Sequence, residues 1–197
     1  MDNNPYIFFE NINEIYRMVE ILEIIHNKYN CGDKTNYTII TKEDMNFKVF
    51  VLSNCVIKIC LTDLYYKKYE QIYKIIINLN HKNLEKIYEI FDTGKYTIII
   101  SKKIIPLFVN SSLNPILNIE IEEINFMIGS LINEINQNGL YHNDIRVDNM
   151  GYDQYIREYI LFDFDKSKYE FNGYNKRIKT IDNDDLYNSL MYIENKR

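Results

Sequence analysis

Apolar positions along the first half of the chain switch between two periods. From Asn11 to Lys28, Ile12, Ile15, Val19, Leu22 and Ile25 recur every three or four residues, a spacing that gathers them on one face of an amphipathic helix. A polar stretch, Asn30 to Asn36 with Gly32, closes it. Three β-rich runs follow, Tyr37 to Thr41, Phe47 to Leu52 and Cys55 to Leu61. The turn-forming pair Ser53-Asn54 joins the last two as a hairpin. The pattern is helical again from Asp63 to Asn80, and Tyr88 to Phe91 and Tyr96 to Ile100 read as strands on either side of Asp92-Thr93-Gly94. The order β-β-β-α-β-β is complete by residue 101. Beyond a loop containing Pro106 and Pro115, Ile119 to Asn138 forms a long helix closed by Gly139. Two short strands, Asp148 to Gly151 and Glu158 to Phe162, bracket a turn at Tyr152-Asp153-Gln154, and a final helix starts near Asp184. No internal repeat and no Pro/Gly/Ser-rich linker divides the chain.

Composition narrows the classes. The 197 residues are 46% hydrophobic and 14% aromatic, enough to build a core. The formal net charge is -5 and the only basic clusters are Lys67-Lys68, Lys102-Lys103 and the stretch around Lys176-Arg177. Nucleic-acid binding through a basic surface is therefore not expected. Cys31, Cys55 and Cys60 are odd in number and lack metal spacing, which reads as reduced thiols in an intracellular, cytoplasmic protein. The longest apolar stretch, Tyr96 to Val109, is interrupted by Ser101, Lys102, Lys103 and Pro106 and falls short of a membrane span. The start, Met1-Asp2-Asn3-Asn4, carries no Lys or Arg and is unlike a signal peptide. A soluble protein with no membrane partner is expected. Heavy use of Ile, Asn, Lys and Tyr fits an AT-rich coding genome, such as that of a large DNA virus or a protist.

The chemistry concentrates in Tyr141-His142-Asn143-Asp144-Ile145-Arg146-Val147-Asp148-Asn149, followed by Asp163-Phe164-Asp165. A loop entered from a helix and left into a hairpin can hold Asp144 and Asn149 on one wall while the second hairpin strand delivers Asp163 beside them. Two carboxylates and an amide oxygen form an oxygen-rich set suited to Mg²⁺, with coordination positions left for phosphate oxygens and water. Phosphoryl transfer asks chiefly for positioning and charge neutralisation, with one carboxylate free to accept a hydroxyl proton. Asp144 is the candidate acceptor.

These residues resemble the protein-kinase catalytic loop H-x-D-x-x-x-x-N and the D-F-G metal motif. Upstream, Val56-Ile57-Lys58 stands where V-A-I-K is found, and Leu79-Asn80-His81-Lys82-Asn83-Leu84 is similar to L-x-H-P-N-I. Downstream, Asp184-Asp185-Leu186-Tyr187-Asn188-Ser189-Leu190 resembles the D-D-L-x-S-L of casein-kinase-like and vaccinia-related kinases with one extra residue, and Asp144 to Asn149 resembles their D-I-K-P-D-N. The resemblance covers about residues 37 to 194. It implies an α+β, bilobal protein-kinase-like fold over residues 1–197: an N-lobe with leading helix and five-stranded antiparallel sheet to about 101, and a shortened helical C-lobe from about 104. It implies an ATP- and Mg²⁺-dependent Ser/Thr protein kinase acting on a protein substrate. Asp144 and Arg146 would be catalytic, Asn149 and Asp163 metal ligands, and Lys58, Glu70, Ile100 and Lys102 would line the nucleotide site. Ile100 takes the gatekeeper position, Ser101-Lys102-Lys103 the hinge, and Glu70 pairs with Lys58. His142, Asp184 and Asp185 are expected to be structural, the helix-start acid bracing the catalytic-loop backbone.

Several positions depart from the family pattern. Thr41 to Lys48 contains no Gly where a phosphate loop belongs, and Glu43 and Asp44 repel phosphate. Asn143 replaces the Arg that reads a phosphorylated activation loop, Arg146 replaces a Lys, and Asp165 replaces the Gly of D-F-G. No A-P-E follows, and the sequence stops soon after the Asp184 helix, so most of the peptide-docking lobe is expected to be missing. These departures keep open a pseudokinase or kinase mimic that binds a regulatory protein partner, and a small-molecule kinase of the aminoglycoside or choline type.

Overall fold

The computed structural model describes residues 12–29, 38–40, 47–109, 112–170 and 176–196. Thr41 to Asn46, the core of the glycine-free stretch with Glu43 and Asp44, lie outside the described residues, as do Cys31 and the polar stretch after the first helix. The chain divides into two compact units, Met1–Tyr66 with Ile87–Lys103, and Lys67–Lys86 with Ile104–Arg197.

The first unit holds α1 (Ile12–Tyr29) and five antiparallel strands, β1 (Thr38–Ile40), β2 (Phe47–Val51), β3 (Cys55–Leu61), β4 (Ile87–Asp92) and β5 (Tyr96–Lys102), in the order β1-β2-β3-β5-β4. Side chains alternate across a strand. Register therefore aligns Phe50, Ile57 and Ile100 in one row and Ile59, Ile98 and Phe91 in another. Ile57, Ile59, Ile98 and Ile100 are buried, and Ile25 of α1 joins their cluster, with Ile21 and Tyr29 packed against it. Tyr29 stacks on Tyr88 at 5.1 Å, and its hydroxyl donates to Glu89 at 2.6 Å, where Lys28 also binds at 2.9 Å. Both hairpin turns fall where the turn residues stand. Leu52 N donates to Cys55 O across Ser53-Asn54, and Gly94, at φ +92°, follows Asp92-Thr93.

The cysteines differ from the expectation. Cys55 is disulfide-bonded, so the reading of three reduced thiols fails there, while Cys60 is a buried thiol that donates to Thr97 O at 3.7 Å. An odd count limits pairing without forbidding it.

The helix α2 (Thr62–Leu79) begins in the first unit and continues into the second. There it buries Tyr69, Ile72, Tyr73 and Ile76, a three-four spacing that forms one face. The second unit continues with β6 (Ile105–Pro106), β7 (Phe108–Val109), β8 (Ser112–Leu113), α3 (Ile121–Gln137), β9 (Leu140–Tyr141), β10 (Met150–Asp153), β11 (Glu158–Leu161), β12 (Lys168–Tyr169) and α4 (Lys176–Glu194). Strands β11-β10-β6 form a sheet and β9 pairs with β12. The core of α3, Ile124, Ile128, Leu131, Ile132 and Ile135, packs in part against α4, whose Leu186, Leu190 and Ile193 are buried. Among the described residues no helix is long and apolar enough to cross a membrane.

Two boundaries moved. The β10–β11 turn lies at residues 154–157, because Asp153 accepts from the Tyr155 and Arg157 amides and carries the strand further than expected. The last helix begins at Lys176, eight residues before Asp184, since no Gly or Pro stands between them to stop it. Asp184 is therefore inside α4 and not at its start.

Candidate active site

The loop after β9 is fixed from beneath by α4. Asp182 is fully buried and its two carboxylate oxygens accept from consecutive backbone amides, His142 N at 3.1 Å and Asn143 N at 2.8 Å. Burial pushes the Asp182 carboxyl up to about 6, opposed by these two amides. Ser189, also on α4, donates to Ile145 O at 3.1 Å. Asp185 is raised as well, first by burial and then by the nearby Asp144 and Asp184 charges, with the Ile145 amide opposing. The bracing expected of Asp184 and Asp185 thus falls mainly to Asp182, one helical turn earlier than Asp185.

His142 is buried, with Nε2 3.0 Å from Phe162 O and its ring edge-on to Phe164 at 4.5 Å. It joins the loop to the strand that leads into Asp163. Phe162 N donates to Asn149 O at 3.0 Å, closing the same seam one step further along. Two non-glycine residues here adopt left-handed backbone, Asn143 at φ 60° and Asp163 at φ 67°. Such conformations cost about 1–3 kcal/mol each and persist only where surroundings enforce them. Asp182 holds Asn143, and the buried Glu85 accepts from Asp163 N at 3.3 Å.

Asp144 is the centre of the polar contacts. Asn149 Nδ2 donates to Asp144 O at 2.8 Å and to Oδ2 at 3.1 Å. Lys166 Nζ sits 3.0 Å and Arg146 Nε 3.3 Å from Asp144 Oδ1. The Asp144 side chain is 14% exposed, whereas Lys166 and Arg146 are 64% and 52% exposed. Because its NH₂ is committed to Asp144, Asn149 has Oδ1 as the atom that can face a cation. The Asp163 carboxylate would be the second oxygen donor of a pair of the kind hard divalent cations take. Among the described residues no group of three His, Cys, Asp or Glu side chains is placed to hold a metal. A carboxylate–amide pair completed by phosphate and water does not need one.

The structure brings Asp144, Arg146 and Asn149 together and ties Asp163 to the same loop through Phe162. In the first unit, Lys58 stands on β3 opposite Val49 and Ile99, on the face away from buried Ile57 and Ile59. Ile100 is fully buried, and Lys102 ends β5 opposite Cys55. Glu70 is bonded to Lys74 at 2.7 Å, four residues along α2. Sequence reasoning missed Lys166, Glu85 and Asp182. Only Lys166 carried a local signal, a cation directly after Asp163-Phe164-Asp165.

No protein-family model matches the sequence, and no curated protein matches it. Solved structures do. Rad53 1-466, crystallised in complex with AMP-PNP, superposes with a TM-score of 0.58 at 14% identity, over 80% of this chain and 47% of that one. The chain thus spans about half the length of that relative. The likeness is to a protein-kinase-like fold.

Proposed function

We propose that this protein is an ATP- and Mg²⁺-dependent phosphotransferase, a Ser/Thr protein kinase, with Asp144 as general base. The observation that carries this reading is the Asp144 cluster: one shielded carboxylate oriented by Asn149 and flanked by two cations, on a loop locked by Asp182. A base must be fixed within hydrogen-bond reach of the hydroxyl it serves, and here the chain spends buried polar groups and two strained residues on fixing it. Asn149 Oδ1 and the Asp163 carboxylate would hold Mg²⁺, which when bound neutralises phosphate charge. Arg146 follows the acceptor side of the transfer. Lys58 takes the nucleotide phosphates and Lys102 the adenine side, as the motif resemblance implies, whereas Ile100 packs with Ile57 in the α1-covered core, on the other face of the sheet from Lys58, and does not line that site. Glu70, whose Oε1 accepts from Lys74, would pair with Lys58 as the motif resemblance implies. Rad53 was crystallised with AMP-PNP, which favours a nucleotide as ligand of this chain too.

The test is transfer of radiolabel from [γ-³²P]ATP to the protein itself and to dephosphorylated casein. Wild type labels both, and Asp144→Asn lowers the rate by about 10²–10⁴-fold, the range of general-base catalysis. Equal labelling by the two proteins contradicts the assignment. A kinase mimic that binds a protein partner is the second reading, favoured by the absence of Gly from Thr41 to Lys48. A folded wild type with no transfer supports it.

A further inference from the structure

We infer that Lys166 is a catalytic residue, a cation that contacts the transferred phosphoryl group from the acceptor side. The inference rests on the phosphotransferase reading above. No motif calls for a cation at this position. It emerges from the geometry, in which the Lys166 ammonium lies 3.0 Å from Asp144 Oδ1, closer than the 3.3 Å of Arg146.

The position follows from the local fold. Asp163, in left-handed backbone, opens a single 3₁₀ turn over Phe164–Lys166. Phe164 is fully buried against His142, and Ser167, also buried, donates to His142 O at 3.3 Å. Lys166 is held between these two anchors. Its backbone is fixed while its side chain, 64% exposed, can move.

During transfer the acceptor hydroxyl lies against Asp144. Its oxygen forms the new bond to the γ-phosphorus, the bond from that phosphorus to the β,γ-bridging oxygen breaks, and ADP leaves with the electron pair. The hydroxyl proton passes to Asp144. A group already 3.0 Å from Asp144 is within one side-chain swing of the non-bridging oxygens of the moving phosphoryl group. An ammonium has three donors, so it can keep its bond to Asp144 and donate to a phosphate oxygen at once. A guanidinium is planar and satisfies two neighbours only in one plane. Lys166 also answers a deficit in the sequence: with no Gly from Thr41 to Lys48, fewer backbone amides can approach phosphate closely, and a side-chain cation replaces part of that field.

The experiment measures steady-state transfer to dephosphorylated casein by the full chain, comparing wild type with Lys166→Met and Lys166→Arg, and follows Mg-ATP by thermal shift in each. Lys166→Met is expected to lower kcat by about 10²–10³-fold, the loss typical of one preorganised transition-state donor, with KM for ATP and the thermal shift within about twofold of wild type. Lys166→Arg, which keeps the charge but confines its donors to one plane, should recover part of the loss. Wild-type kcat in Lys166→Met, with wild type active, overturns this inference alone. A parallel loss of kcat and of the thermal shift, unrelieved by Arg, also overturns it, by making Lys166 a structural prop. Inactivity of wild type itself overturns the phosphotransferase reading and takes this inference with it.

Discussion

At the scale of single residues, the most informative side chain is one the motifs did not name. Asp182 commits both carboxylate oxygens to backbone amides, so replacing it by Ala leaves the buried His142 N–H without an acceptor, at about 1–3 kcal/mol, and the part-buried Asn143 N–H at less. Its titration runs opposite to that of a salt-bridged acid. The folded carboxyl is raised to about 6 from its ordinary 3.8, so between these values the folded state holds a proton that the unfolded chain has released. Well below pH 3.8 both states are protonated and the group costs nothing. The cost grows as pH rises through the window between the two values and totals on the order of 3 kcal/mol above it. Urea unfolding of wild type and Asp182→Asn from pH 4 to 7 should show wild type losing stability relative to the variant as pH rises. A difference that is flat, or that rises with pH, contradicts this account. The loop residues Asp144, Asn149 and Asp163 were legible because their order is local. Asp182 was not, because its partner amides lie about 40 residues away and nothing in an acid-rich helix marks which acid is buried.

At the scale of elements, what the sequence shows is period and punctuation. α1, β2, β3 and α2 lie where the apolar spacing puts them, within a residue or two, because Ser53-Asn54 and Asp92-Thr93-Gly94 fix the turns that set register. The short strands were harder. β6, β7, β8, β9 and β12 are two residues each, too short to show a period, and they exist because backbone partners elsewhere complete them. Gly139 illustrates this. It reads as a helix stop, and so it is, at φ +76°, but a Cβ there would also meet Glu170 O at 2.5 Å where β9 meets β12. Gly139→Ala should therefore destabilise by about 1–3 kcal/mol, the scale of overpacking plus a disfavoured φ, read as a fall in urea midpoint at unchanged slope. Within the sheet, Ile98→Ala removes a fully buried side chain from the centre of the α1-covered face and should cost about 2–5 kcal/mol. A loss below 1 kcal/mol would show that α1 does not cover that face.

At the scale of the molecule, a chain of net charge -5 with a protein-kinase-like fold leaves Mg-ATP as the ligand most worth testing. Melting curves of the full chain, with and without Mg-ATP, for wild type and Asp163→Asn, address this directly. Binding to the folded state alone raises stability by about 2.7 kcal/mol at a hundredfold excess over Kd. The account predicts a rise in melting temperature for wild type that EDTA abolishes and that Asp163→Asn lacks, while the variant melts cooperatively without ligand. No rise in wild type, or an equal rise in the variant, would contradict a metal-dependent nucleotide site at Asn149 and Asp163.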